Sequence, residues 1–300
     1  MAQAHPGLPE FDYIKPASLT EASRFLARRA GEARPLLGGT DIFVRMRDGA
    51  WHERFLVDVK GLPGLNAVDY DPVDGLILGA AVTMNRTVEH PAVKAHYPLL
   101  AEAARSVAGY QLRNRATVVG NVCNASPAGD TIGACLAYDA RLKVFSAQGE
   151  REVPVAGLFT GPGKTTLQPG DIVTALLLPV PPAGQASRYV KLGRNALSDL
   201  SIVGVTALGS PDANVRSGYR FRLALASVAP VPLVPAAAEA ILSEKRPGAE
   251  TFAEAAEAAM EACTPIDDVR GSARYRKAMV RNLVAQGLRA IWEELRAGGD

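Results

Sequence analysis

A chain of 300 residues that is 48% hydrophobic can bury the core of one large or two ordinary domains. Its 33 basic and 31 acidic residues are interspersed, so neither a nucleic-acid surface nor a polybasic membrane patch stands out. No apolar run reaches the roughly 20 residues of a membrane span, and the N-terminal M-A-Q-A-H-P-G-L-P-E lacks the order of a signal peptide, so a soluble, cytoplasmic protein is expected.

Residues 11–16 predict a short strand stopped by Pro16. Ser18 and Glu21 have the S-x-x-E spacing of a capping box, and Leu19, Ala22, Phe25 and Leu26 share one helical face, which predicts a helix over 19–29. Residues 34–37 read as a buried strand that stops at Gly38 and Gly39. Thr40 and Asp41 then open a short helix through Ile42 and Met46 that Asp48 and Gly49 end. Strand, paired glycines and helix start is an order that suits an anion, because unpaired amides and the helix dipole point outward there; an ordinary strand-to-helix turn reads the same way. Residues 55–59 and 76–81 predict strands among Gly- and Pro-rich turns, Thr83 caps a short helix through Glu89, and Pro98 starts a helix to about Ala108 with Leu99, Leu100, Ala103 and Val107 buried.

That helix leads into N-R-A-T-V-V-G-N-V-C-N-A-S-P-A-G-D, residues 114–130. After Arg113 and Arg115 its small and turn-forming residues, Gly120, Asn121, Asn124, Ala125, Ser126, Pro127 and Gly129, allow a backbone to press close to a ligand. A loop between two strands is the plain reading of such a cluster; the Leu36–Asp41 turn upstream shifts the reading toward a binding site. Residues 132–140 predict a helix packed beneath it, and 141–146 with 151–155 a hairpin closed at Gln148 and Gly149. Gly161-Pro-Gly-Lys-Thr165 is not a P-loop, since Leu158 stands where the first glycine belongs. A strand over 171–178 ends in Pro179, Pro181 and Pro182, the expected domain boundary. Beyond it, strands at 188–192, 202–208 and 219–227 predict a small antiparallel sheet, followed by helices at 235–242, 251–262 and 272–296. The last of these carries Met279, Leu283, Leu288, Ile291 and Leu295 along one stripe.

Cys123, Cys135 and Cys263 form no C-x-x-C pair, which leaves neither a disulfide scaffold nor a zinc or iron-sulfur site on this chain alone. His5, His52, His90 and His96 fall outside the turn-rich stretches and read as surface or packing residues.

Taken together, these residues resemble the FAD-binding, or medium, subunit of the molybdenum hydroxylases, the xanthine dehydrogenase and aerobic carbon monoxide dehydrogenase family, over nearly the whole chain. Leu36, Leu37, Gly38, Gly39, Thr40 and Asp41 are similar to that family's first flavin loop. Thr117, Val118, Val119, Gly120 and Asn121, with Ala125, Ser126 and the run to Asp130, are similar to its second. Gly161–Thr165 and Pro265–Gly271 also match.

The resemblance implies an α+β fold: a two-subdomain FAD-binding domain of the p-cresol methylhydroxylase/vanillyl-alcohol oxidase type over residues 1–182, divided near residue 60, and a C-terminal domain of antiparallel sheet and helices over 186–297. It implies cofactor contacts from the two loops, from Ile42, Val107, Ile172 and Lys191, and from Asp130 toward the sugar or adenine side. Val119 stands where the family shows a glycine, which argues against a direct Val119 contact while leaving Gly120 and Asn121 in place. Arg194 sits with Lys191 near the family's approach to the flavin, where surface charge is an equal reading.

By the same resemblance the chain passes electrons through FAD to NAD or another acceptor. They come from 2Fe-2S clusters of a small subunit, beside a large subunit carrying the molybdenum cofactor, in a dimer of heterotrimers. No acid, base and nucleophile constellation is present, so no catalytic residue is named. The inserted cysteine-containing segment of the 4-hydroxybenzoyl-CoA reductase branch is not seen. Two alternatives stand beside this reading: an autonomous flavin oxidase, with Cys123 as the one candidate for a covalent tether, and a non-catalytic nucleotide-binding or assembly module.

Overall fold

The structure, a computed structural model, describes residues 7–195 and 198–298; His5 and the rest of the first six residues lie outside the described residues. Strand β1 (Asp12–Ile14) leads through helix α1 (Leu19–Arg28), β2 (Ala33–Leu36) and α2 (Ile42–Arg47) to β3 (Phe55–Asp58). β3 is central, with β1 and β2 parallel to it on either side. Ser18 accepts from the Glu21 amide at 3.1 Å, and the Glu21 carboxylate accepts from the Ala17 amide at 2.7 Å, one residue earlier than a regular capping box. Successive residues of β3 serve opposite faces, as strand geometry requires: Val57 packs with Ala22 and Leu26 of α1, and Leu56 with Leu36 and Met46.

A second layer follows as β4 (Val68–Asp71), β5 (Gly75–Gly79), α3 (Met84–Glu89), α4 (Pro91–His96), α5 (Pro98–Arg105), α6 (Tyr110–Arg113), α7 (Val118–Asn124), α8 (Ile132–Ala137), β6 (Arg141–Ser146), β7 (Gly149–Pro154), β8 (Phe159–Gly161), β9 (Lys164–Thr165) and β10 (Ile172–Leu178). Its antiparallel sheet runs β4-β5-β10-β6-β7. Ile172, at the start of β10, is buried in the cluster that includes α1 and β3, so one strand anchors both sheets.

The third layer is the antiparallel sheet β11 (Ala186–Leu192), β12 (Val203–Pro211) and β13 (Tyr219–Ala226), covered by α9 (Ala236–Glu244), α10 (Ala249–Glu261) and α11 (Ala273–Ala297). It docks on the second layer most closely at α8. A Cβ on Gly133 of α8 would lie 2.1 Å from Thr206 Oγ1 of β12, so only glycine lets the helix approach the sheet this closely. The Ser227 amide donates to the Pro127 carbonyl at 2.8 Å, and the Arg222 guanidinium to the Asp139 carboxylate at 2.9 Å.

Three stretches depart from the sequence reading. Val68–Asp71 is a strand where only turns were expected, because Val68 and Tyr70 are half-buried and Tyr70 stacks on His96 at 4.3 Å. Pro91–His96 is an unexpected helix, opened by a proline at its first position. The loop expected within 114–130 is helical at Val118–Asn124. Thr117 caps that helix by accepting from the Gly120 amide at 2.8 Å, while burial of Val118, Val119 and Val122 outweighs their weak helix propensity. On α11 the fully buried stripe is Val280, Val284, Leu288, Ile291 and Leu295; Met279 and Leu283 flank it half-buried.

α11 also carries Arg276, which is 2% exposed. Its guanidinium donates to the Ile202 carbonyl at 2.6 Å, the Ser227 carbonyl at 3.1 Å and the Asp268 carboxylate at 2.6 Å. Burial pushes the Asp268 carboxyl up, but hydrogen bonds from Arg270 and Arg276 outweigh it and hold the group well below the usual carboxylate range. A carboxylate depressed in the folded state stabilises above its unfolded pKa, about 4, and loses that contribution as pH falls through the folded value. Asp268→Asn is therefore expected to cost on the order of 3 kcal/mol at neutral pH. In acid denaturation followed by circular dichroism, the variant's stability should fall less steeply below about pH 4 than that of the unsubstituted chain.

Candidate functional site

The two turns singled out in the sequence meet. A Cβ on Gly38 would lie 2.3 Å from the Arg115 carbonyl oxygen and 3.1 Å from Ala116 Cα, so the first turn lies directly against the backbone that leads into α7. Gly39 has φ +72°, the left-handed region that favours glycine. The carbonyls of Gly39 and Asp41 accept from the Phe43 and Arg45 amides at 3.3 and 3.0 Å. Among the described residues, the amides of Gly38, Gly39, Thr40 and Asp41 have no protein acceptor, nor does that of Val119 in the first turn of α7, whereas Val118 enters the helix through the antiparallel bridge of Thr117 with Thr83. Asp41 gives α2 no side-chain cap.

Between the turns lies a cleft of about 580 Å³, a size typical of pockets for organic cofactors. Its wall includes Leu37, Gly38, Gly39, Thr40, Asp41 and Ile42 from the first turn, and Thr117, Gly120, Asn121 and Ser126 from the second. Val107, Asp130 and Ile172 complete the set of expected residues that border it, and Thr165 brings the β8–β9 hairpin to its edge. Four expected residues stand behind the wall. Leu36 is packed with Met46 and Leu56, and the Val118 side chain is in the main core. Ala125 ends α7 in the left-handed conformation at φ 50°, its carbonyl accepting from the Gly163 amide at 2.9 Å. Lys191 reaches Asp130 rather than open space.

Sequence reasoning missed part of the wall. Val119 borders the cleft although it replaces an expected glycine; its side chain is 1% exposed in the core, so the extra carbons do not disturb the helix. Asn124 and Ala108 also border the cleft. Ala108 is held at φ 43° by Arg113, whose guanidinium donates to the Val107 and Ala108 carbonyls at 2.9 Å each. The arginine before the second turn was the one available signal. At the rim, the Arg34 guanidinium lies 3.7 Å from the Trp51 ring centroid; neither residue belongs to a motif.

Asp130 is buried in the wall. Burial raises its carboxyl, and Lys191 and Tyr189 oppose the rise: Lys191 Nζ donates to Oδ2 at 2.9 Å and Tyr189 OH to Oδ1 at 2.6 Å. Burial also raises Asp41, against Arg45 and against hydrogen bonds from the Asn124 and Thr40 side chains. Cys123 borders the cleft, and burial pushes its thiol up to about 12. His52, His90 and His96 stand outside the wall, as the sequence reading has them. Among the described residues no group of three or more His, Cys, Asp or Glu side chains could hold a metal ion, and no helix is long and apolar enough to cross a membrane.

A cleft lined by close-approaching glycine turns and unpaired amides, with apolar flanks, has the chemistry to take a dinucleotide through main-chain donors. Comparison with known proteins gives the family. Residues 9–181 match the model of the FAD binding domain in molybdopterin dehydrogenase, and residues 188–291 that of the CO dehydrogenase flavoprotein C-terminal domain. The carbon monoxide dehydrogenase medium chain of Hydrogenophaga pseudoflava is 31% identical over 95% of this chain and 98% of its own length. The xanthine dehydrogenase FAD-binding subunit of Escherichia coli O157:H7 is 30% identical over 96% and 97%. A solved structure of carbon monoxide dehydrogenase from Hydrogenophaga pseudoflava superposes with a TM-score of 0.90 at 32% identity, covering 95% of this chain and 98% of that one. The chain belongs to the FAD-binding medium subunits of the molybdenum hydroxylases, the flavoprotein components of these oxidoreductases. Its α+β architecture is the one expected from the sequence, with an FAD-binding domain consistent with the p-cresol methylhydroxylase type and a C-terminal domain.

The raised Cys123 thiol sets a test of its surroundings. Alkylation by iodoacetamide at pH 8, read by mass spectrometry, is expected to be at least about 100-fold slower at Cys123 than at a free thiol, because the thiolate is the reactive species. The rate should climb with pH toward about 12.

Proposed function

We propose that this chain holds FAD between its two glycine turns and carries electrons within a multi-subunit molybdenum hydroxylase. On this reading the electrons arrive from 2Fe-2S clusters of a small subunit, beside a large subunit with the molybdenum cofactor, and leave to NAD or another acceptor. The assembly would be a dimer of heterotrimers in the cytoplasm. The working domain division is 1–182, split near residue 60, and 186–297. The observation that carries the site assignment is the contact of Gly38 with the Arg115 carbonyl, which brings the unpaired amides of residues 38–41 beside the start of α7 at one cleft.

FAD, when bound, supplies a two-electron carrier that can also exchange single electrons. The chain's part is to bind and orient it. The amides of residues 38–41, with that of Val119, would take the pyrophosphate, a task for which main-chain donors serve without added positive charge. Leu37, Ile42, Val107 and Ile172 would supply apolar walls, and Asp130 would accept from a hydroxyl or amine on the sugar or adenine side. Leu36, Val118, Ala125 and Lys191 would act from behind, by fixing the turns and the Asp130 carboxylate. Arg194, 3.5 Å from the Asp199 carboxylate, carries an ion pair and needs no role at the flavin.

In the full chain reconstituted with FAD, Gly39→Val should distort a left-handed turn, where a Cβ would also meet the Phe43 ring at 2.8 Å. Asp130→Ala should remove an acceptor. Both are expected to lower FAD occupancy, read from visible flavin absorbance, while unfolding stays cooperative; full occupancy in both contradicts the assignment.

The autonomous-oxidase reading requires flavin that stays with the chain. Precipitation in acid is expected to release all the yellow colour to the supernatant, since the raised Cys123 thiol is a poor nucleophile. Colour retained in the pellet would support a covalent link instead. Affinity purification from the host, followed by metal analysis, is expected to recover iron and molybdenum on two further chains.

A further inference from the structure

Both oxygens of the Asp130 carboxylate are taken by side chains of the C-terminal domain. Tyr189 OH donates to Oδ1 at 2.6 Å and Lys191 Nζ to Oδ2 at 2.9 Å, two residues apart on the same face of β11. Lys191 is shared with the Ser106 carbonyl at 3.1 Å. Tyr189 is fixed along its whole length. Its amide, on the free edge of the sheet, donates to the Glu102 carboxylate of α5 at 2.8 Å. Its side chain is buried in the main hydrophobic core, which is built largely from the FAD-binding domain. The space for its hydroxyl exists because Gly204, on the neighbouring strand, has no side chain: a Cβ there would lie 2.8 Å from the phenolic oxygen.

Lys191 alone could not define the carboxylate, because a long flexible stem follows its partner. The phenol is rigid, buried and clamped at the main chain, and so determines the direction in which the carboxylate faces. We propose that Tyr189 is a positioning residue for the flavin cleft, holding Asp130 from the second domain so that this domain sets part of the affinity for FAD. The proposal rests on the reading that Asp130 contacts the cofactor. A hydrogen bond to the charged carboxylate also offsets the burial that disfavours it.

The test is a double-mutant cycle on the full chain, with FAD dissociation constants from quenching of flavin fluorescence. Tyr189→Phe is expected to weaken FAD binding about tenfold, the usual consequence of removing a hydrogen bond to a charged group. Gly204→Ala, which leaves the tyrosine in place but crowds its hydroxyl, should weaken binding in the same direction. In an Asp130→Ala background, Tyr189→Phe should change the constant less than about twofold, because its route to the cofactor is gone. A purely structural role predicts equal losses in both backgrounds and would overturn the proposal. Native affinity in Tyr189→Phe, with Asp130→Ala still weak, overturns it and leaves the site reading intact. Native affinity in Asp130→Ala removes Asp130 from the site and the proposal with it.

Discussion

The structure turns on an approach that a single methyl group would forbid. Gly38 lies so close to the Arg115 carbonyl that its missing Cβ would sit 2.3 Å away, and this contact brings a turn of the first sheet against the entry of α7 in the second layer. The amides of residues 38–41 find no partner in the protein there. Unpaired amides are costly when dry and useful when an anion meets them. The cleft follows from that juxtaposition: its wall joins apolar residues of the two cores to the glycine turns and to polar residues such as Asn121, Asn124 and Asp130.

A second close approach docks the C-terminal domain. Gly133 of α8 against Thr206 of β12 removes a layer of side chains at the seam, so β11 passes near enough for Tyr189 and Lys191 to reach Asp130. The buried carboxylate thereby gains two hydrogen-bonded partners, one of them cationic, as an acidic group out of water requires. Each partner comes from a different domain than the acid it serves.

Charge plays a local part. The chain is close to neutral overall, and the cleft contains acids whose ionisation is opposed by burial, Asp41 and Asp130. Cations answer these acids one by one: Arg45 acts on Asp41 and Lys191 bonds Asp130. Away from the cleft, the Asp268–Arg276 pair joins the Pro265–Gly271 segment to the end of the sheet, with carbonyls of Ile202 and Ser227 completing the guanidinium's partners.

Much of this was legible along the chain. Ser18 and Thr83 are helix caps by residue type and act as such, and the three strands after Pro182 pair in an antiparallel sheet as their spacing suggests. The glycine turns announced themselves because permissive backbone is a local property. The second turn was harder, since Thr117 to Asn124 is weak in helix propensity and becomes helical only when three valines are buried. The sequence by itself determined the caps, the strand periods and the two places where a backbone could approach a ligand, all of which depend on residues within a turn or two of one another. The tertiary structure alone decided that the two places face each other, that Val119 is harmless there, and that Tyr189 serves Asp130 from 59 residues away. Those outcomes are set by which surfaces exclude water together and by what space a missing side chain leaves, and neither is written in any local stretch of the chain.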